Sequence, residues 1–312
     1  MAKRRLDGSV VVLTGATSGV GRATAHAFAE QRAHLVLAAR DADALDDVAR
    51  ECAERGATAL AVPTDITDAD AVEHLAQRAV ATFGRIDTWV NAAGVLVIGT
   101  LDTLPVRDID QLIATNVRGT LLAARAALSQ FRAQQGGVLI DVSSVLGIVP
   151  NPYVPAYTMS KFAVRGLSLA LHHARPQHPG VRVSVVLPGP MDTPMFDRAA
   201  NHAGRRPRSV PPACAPERAA AAIVRCARRP RRQVTVGASA KLIALGVRVL
   251  PSFTEWAVAR YSGTLLLQRE PAPDTVGGIY GWDGLTGIDG GWRKFAPRRR
   301  AGAAVGRALA RR

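Results

Sequence analysis

The stretch VVVLTGATSGVG (residues 10–21) joins an uninterrupted apolar run to a turn with glycines at 15, 19 and 21. A strand with no polar face has to be covered on both sides, as in a parallel sheet held between two layers of helices. The pattern then repeats. A helical stretch over about 20–32 leads to a strand at 34–39, then a helix at about 43–55, a strand at 58–62, a helix at about 69–83 and a strand at 87–91. A long helical stretch over about 107–133, a strand at 137–142, a helix over about 156–175 and a strand at 181–187 continue it. Such alternation predicts a doubly wound α/β fold, a parallel sheet with right-handed crossovers and helices on both faces.

Sheets of this kind bind ligands beyond the carboxyl ends of their strands, so the residues after each strand carry the functional information. In the first turn Gly15 permits the tight reversal, Gly19 lets the backbone approach a pyrophosphate, and Gly21 allows close helix packing. Thr14, Thr17, Ser18 and Val20 belong to the same candidate cofactor-binding turn. After the second strand, where an acid would hold a ribose 2′-hydroxyl, the chain reads Ala39, Arg40. A guanidinium there suits a 2′-phosphate and points to NADP, while Asp41, the next residue, keeps NAD open. Later strand ends give NAAG (91–94), VSS (142–144) and PGPMDT (188–193). Asn91, Ala92 and Gly94, like Pro188 and Gly189, suit a backbone turning beside a ligand, and equally suit ordinary strand-ending turns.

Residues 157–161 read YTMSK, although the chain has only four Tyr, and its four Lys are Lys3, Lys161, Lys241 and Lys294. Together these segments resemble the short-chain dehydrogenase/reductase family over about residues 6–236, in its non-extended branch, with the spacing Gly15-x-x-x-Gly19-x-Gly21. NAAG, Asn116 in TNVRG, Ser144, the Tyr157/Lys161 pair and the PG…T segment fall in that family's order. The family's serine lies about thirteen residues before its tyrosine, which selects Ser144 over Ser143. Tyr153 is set aside because Tyr157, not Lys, stands four residues after it.

The resemblance implies a Rossmann-like catalytic domain over 1–236 that interconverts a carbonyl and a secondary alcohol by hydride transfer with NADP or NAD. In a helix, residues four apart share a face, so Tyr157 and Lys161 reach one cleft. A nearby ammonium favours the phenolate, so the Tyr157 hydroxyl is expected below its ordinary value near 10, acting as general acid and base. Ser144 would hold the substrate oxygen, Lys161 would also bind the nicotinamide ribose, and Asn116 would position a water relaying protons. Asp65, with Ile66 beside it, would meet the adenine; Met191, through its backbone, and Thr193 would meet the nicotinamide. The resemblance further implies a homo-oligomer packed through the helices at about 107–133 and 156–175.

Substrate contacts are expected from Leu96, Leu146, Met195 and Phe196, within a wider apolar set of Val95, Val97, Ile98, Ile148 and Val149, which suggests a hydrophobic, lipid-like or steroid-like substrate. The segment 192–216 takes the place of the family's lid, and Arg205, Arg206 and Arg208 within it raise the possibility of an anionic substrate handle. The adjacent His172 and His173 point about 100° apart on a helix, which suits a solvated pair and not a shared metal.

The net charge is +15, with 40 basic residues of which four are Lys. The Arg clusters, including a tail with Arg298–Arg300, Arg307, Arg311 and Arg312, have no interleaved aromatics, so no nucleic-acid partner is expected. Three Cys without metal-ligand spacing imply a reducing, cytoplasmic setting and no metal. Residues 237–312 outlast the family domain. There, Lys241 to Arg260 is apolar at helical spacing, although Pro251 should break it. Packing on the body, covering the pocket, and lying on anionic lipid as a peripheral membrane contact are the three readings of this extension. A Gly- and Pro-rich stretch, 271–292, reads as ordered loop, and the last dozen residues as a basic tail. Two rivals to the enzyme reading are a non-catalytic nucleotide-binding regulator and a membrane-surface protein.

Overall fold

The computed structural model describes residues 4–174, 177, 179–281 and 284–293. The first apolar run forms β1 (Val10–Thr14), buried at all five positions, and is followed by α1 (Gly19–Ala29), β2 (His34–Ala39), α2 (Ala42–Glu54), β3 (Thr58–Pro63), α3 (Ala69–Phe83) and β4 (Thr88–Asn91). A two-residue strand β5 (Val97–Ile98) precedes α4 (Val106–Ile113), α5 (Thr120–Ala133), β6 (Gly137–Val142), α6 (Pro155–His173) and β7 (Val181–Pro188). The chain continues through β8 (Ala200–Asn201), β9 (Arg205–Pro207), α7 (Pro216–Arg228), β10 (Gln233–Val236), α8 (Ala238–Val249), α9 (Pro251–Leu266) and β11 (Leu267–Pro271).

Seven strands form one parallel sheet in the order β10-β7-β6-β4-β1-β2-β3. Alternate residues of β1 serve different layers. Val11 and Leu13 pack with α1, α2 and α7 on one face, and Val10 and Val12 pack with α3 and α5 on the other. Every residue of this strand is therefore buried, which is why it lacks a polar alternation. Local signals end the helices as expected: Asp68 accepts the N–H groups of Asp70 and Ala71 at the start of α3, and Gly84, at φ 77°, ends it.

One departure from the sequence reading bears on function. The long helix expected over 107–133 is interrupted between α4 and α5 by a π-helical turn, Ala114–Gly119. Its cause is tertiary: Asn116 Oδ1 accepts Val95 N–H at 2.8 Å and its Nδ2 donates to Val95 O at 2.9 Å, pulling that turn towards the end of β4. The extension breaks at Pro251 as expected, into two helices with Leu250 as the single linking residue. The strands β8, β9, β10 and β11 carry no periodicity long enough to read from sequence; β11 pairs antiparallel with β9 inside the 192–216 segment. The basic tail at 298–312 lies outside the described residues.

Candidate active site

The carboxyl ends of the central strands open into one cavity of about 940 Å³. The glycine turn forms one wall, and its sequence is dictated by crowding. A Cβ on Gly21 would stand 1.9 Å from the Gly15 carbonyl oxygen, and one on Gly15, at φ +71°, would stand 2.6 Å from Ala93 Cα. Of the residues expected to bind the cofactor, Thr14 and Asn91 stand behind the wall and all the others line the cavity. Thr14 Oγ1 accepts Ala93 N–H at 3.4 Å, steadying the turn from behind.

Arg40 and Asp41, both at the cavity wall, have different duties. Asp41 Oδ1 accepts Ala44 N–H at 2.7 Å and caps α2. The Arg40 guanidinium donates to the carbonyls of Gly278 (3.1 Å), Ile279 (3.3 Å) and Gly281 (3.1 Å), so a distant segment holds it in place. That segment also crosses the glycine turn, where Gly19 N–H donates to Gly287 O at 2.9 Å. It is fastened at Asp192, whose carboxylate accepts Trp292 N–H at 2.6 Å and Arg293 Nε at 3.0 Å.

Ser144, Tyr157 and Lys161 meet at the cavity wall, as the sequence spacing requires, while Asn116 stands just behind them. Ser144 stands close enough to the Tyr157 hydroxyl to favour its ionisation, and the Lys161 ammonium lies 5.4 Å from the Tyr157 ring centre. Lys161 Nζ also donates to Val142 O at 3.1 Å. A Cβ on Gly94 would come within 3.3 Å of Asn116 Oδ1, a tight contact, and 3.5 Å of Lys161 Nζ, an ordinary one.

The titration of Tyr157 corrects the sequence expectation. Burial pushes the hydroxyl up to about 12, against a smaller lowering by Ser144. Removal from water here decides the direction. The same burial pulls Lys161 down to about 8, opposed by the charge of Asp141. Asp141 is a functional neighbour that the sequence reading missed. It sits fully buried in β6, accepts Asn91 Nδ2 at 2.9 Å and Ser168 Oγ at 2.7 Å, and is raised by burial to about 6.

The rest of the cavity is apolar. Leu96, Leu146, Met195, Phe196 and Val95 line it, whereas Val97, Ile98, Ile148 and Val149 belong to the surrounding packing. Its outer wall comes from α8 and α9, through residues such as Leu245, Val249, Phe253 and Ala257. Arg205, Arg206 and Arg208 do not line it. Arg208 donates to Leu265 O (2.9 Å) and Thr264 O (3.0 Å), Arg205 to Gly263 O (3.5 Å), and Arg206 pairs with Glu270 at 3.7 Å. These cations hold the end of α9 and its continuation and are not a substrate handle. His172 is also not simply solvated: half-buried, it places Nδ1 3.0 Å from Val183 O.

The model of the short chain dehydrogenase family matches residues 9–203. This chain belongs to the short-chain dehydrogenase family. It is 34% identical over 258 residues to the uncharacterized oxidoreductase YxnA of Bacillus subtilis, covering 81% of this chain and 72% of that protein. A metagenomic short-chain oxidoreductase solved in complex with NADP is 32% identical, with a TM-score of 0.63 over 75% of this chain and 98% of that one. A short-chain dehydrogenase from Burkholderia phymatum, solved in complex with NAD, has a TM-score of 0.71 over 87% of this chain and 99% of its own, and at 24% identity shows the fold. The short-chain dehydrogenase described here is thus an oxidoreductase with a Rossmann-like sheet.

Proposed function

We propose that this short-chain dehydrogenase interconverts a hydrophobic carbonyl compound and its secondary alcohol using NADP(H), with Tyr157 as general acid and base. The observation that carries the reading is a single cavity whose walls combine the glycine turn, the half-buried Ser144, the buried Tyr157 and Lys161, and an apolar mouth. The metagenomic relative in complex with NADP supports a nicotinamide dinucleotide as the partner of the turn.

The residues present fit that group. Gly15 and Gly21 leave no room for side chains where a pyrophosphate would lie against the start of α1. Asp65 and Ile66 would hold the adenine end, and Met191, Thr193 and Lys161 the nicotinamide end. Asp41 caps α2, and the Arg40 guanidinium at the end of β2 is held by the carbonyls of Gly278, Ile279 and Gly281, bonds that a 2′-phosphate would exchange for its own oxygens. When bound, the cofactor supplies or accepts the hydride.

Everything else falls to the chain's own residues. At about 12, the Tyr157 hydroxyl is protonated at neutral pH and can give its proton to a substrate oxygen. Ser144, beside it, holds that oxygen in line. Lys161 stabilises the resulting phenolate, and Asn116, fixed to Val95, marks the path by which the proton is replaced. Residues 1–236 form the catalytic domain and 237–312 an extension completing its pocket. The exposed Leu121, Met159 and Phe162 on α5 and α6 suit pairing with copies of the chain, and three free cysteines suit a reducing, cytoplasmic setting.

The test is binding of NADPH and NADH to wild type and Arg40→Ala, followed by ketone-dependent NADPH oxidation by wild type and Tyr157→Phe. The reading requires an NADPH preference that Arg40→Ala erases and a rate that falls by about 10²–10⁴ in Tyr157→Phe. Binding of neither nucleotide, or a Tyr157→Phe variant of undiminished rate, would sink it.

A further inference from the structure

We infer that the corner between α8 and α9 docks the protein on an anionic lipid bilayer, and that substrate enters the cavity from that bilayer; the second part rests on the catalytic reading above. The two helices are fastened at their outer ends. Ala240 is fully buried and lies so near Gly189 that a Cβ on that glycine would approach it to 2.9 Å. At the other end a Cβ on Gly263 would stand 2.6 Å from the Tyr153 hydroxyl, and Arg208 caps the last turn of α9. Between these anchors the corner projects, and its residues Val249, Leu250, Phe253 and Trp256 are 55–63% exposed.

Four large apolar side chains on one corner mark an interaction surface, and the surrounding charges select its partner. Across α8 and α9 the charged residues are Lys241, Arg248 and Arg260 against the single acid Glu255. All four are exposed. A second copy would set these cations against their own kind, whereas an anionic bilayer complements them. Trp256 and Phe253, with ring centres 5.7 Å apart, are the side-chain types that settle at a membrane interface. Among the described residues no helix is long and apolar enough to cross a membrane, so the corner lies on the lipid without spanning it. A second observation joins this surface to catalysis: Val249, Leu250 and Phe253 also line the active-site cavity. Its mouth therefore opens at the docking face, and a substrate dissolved among acyl chains reaches Tyr157 without crossing water.

The experiment is sedimentation of the full chain with vesicles of phosphatidylcholine alone or mixed with phosphatidylserine. It compares wild type, the double variant Arg248→Glu/Trp256→Ser, whose two positions lie off the cavity wall, and a chain ending at residue 293. Wild type and the shortened chain should bind the phosphatidylserine vesicles, the double variant at least about tenfold more weakly, with NADPH affinity equal in all three. The double variant should also raise KM for a vesicle-dissolved ketone while leaving KM for a water-soluble one unchanged. Binding untouched in the double variant but lost in the shortened chain would give the role to the tail and overturn the proposal. So would failure of wild type to bind, or a loss of self-association in the double variant without any vesicle binding. Any of these with NADPH binding and ketone reduction intact removes the docking surface and leaves the catalytic reading standing.

Discussion

Replacing Asp141 with Asn takes a charge out of a place where the fold admits no water. The Asn91 and Ser168 bonds and the Lys161 ammonium all favour the carboxylate, yet burial outweighs them and the group titrates at about 6 against an ordinary 3.8. Between these two values the folded chain keeps a proton that the unfolded chain has released, so stability falls as pH rises through that window. By pH 7 the loss is complete, and a shift from 3.8 to about 6 amounts to about 3 kcal/mol. Asn removes this cost without leaving a group unpaired. Its Oδ1 still accepts from Asn91, its Nδ2 donates to Ser168 Oγ, and the Ser168 proton turns to Val164 O, 2.8 Å away. Part of the gain is returned, because Lys161 loses the charge that opposes its own depression to about 8. The net expectation at pH 7.5 is a gain of about 2 kcal/mol, or about 4 °C in Tm for a chain of this size. At pH 4.5 the advantage should shrink to roughly a third, since folded Asp141 is then largely protonated. Thermal unfolding followed by circular dichroism at both pH values decides it. An Asn variant less stable than wild type at pH 7.5, or equally shifted at both pH values, would refute the reasoning. The same variant should move the Lys161 limb of the kcat/KM profile to lower pH.

Other positions give equally direct outcomes. Gly21→Ala forces a Cβ to within 1.9 Å of the Gly15 carbonyl oxygen, and should weaken NADPH binding at least about 100-fold in a fluorescence titration of the folded protein. Asp192 is held below the usual carboxylate range: burial alone would raise it, but the bonds from Trp292 and Arg293 prevail. With each such bond contributing about 1.5–3 kcal/mol, Asp192→Asn should let the 284–293 segment open at least tenfold more often, read as faster chymotryptic cleavage near Trp292. Because that carboxyl is depressed in the folded chain, the anchorage should be present at neutral pH and lost as pH falls below the ordinary Asp range. Replacing Arg205, Arg206 and Arg208 together by Ala should lower stability by about 1–2 kcal/mol in denaturant unfolding, and leave KM for a water-soluble ketone unchanged.

The half of the candidate site proposed to meet the cofactor was legible in the sequence because its geometry is carried by the backbone. Gly15, Gly19 and Gly21 are needed where chain meets chain, and that need shows at a fixed spacing after an apolar strand. Tyr157 and Lys161 were legible for a similar reason, since helix geometry alone sets them on one face. Their titration was not, because spacing reports proximity and says nothing of the water excluded around them. Asp141 was hidden in an apolar strand, its partner Ser168 lying 27 residues further on. The Arg cluster at 205–208 showed its charge but not the α9 carbonyls that absorb it.

The substrate half resists sequence reading for a deeper reason: an apolar side chain looks the same whether it fills a core or lines a pocket. Leu96 lines the cavity while Val97, next to it, is packed away, and only the direction of a two-residue strand separates them. The extension compounds this. Its helices read as one broken amphipathic run, yet the two ends are anchored to opposite partners, Gly189 and Tyr153, so the apolar stripe between them bridges the cavity without sealing it. The described residues of the 271–292 stretch show no periodicity because each is held by a different distant part of the chain, Gly287 O by Gly19 N–H and the Tyr280 hydroxyl by Asp108 among them. It follows that the chain's last described segment and its first turn form one structure. If the glycine turn holds the cofactor as proposed, changes at Asp192 or Gly287 should alter NADPH affinity, because both positions hold this segment against the turn.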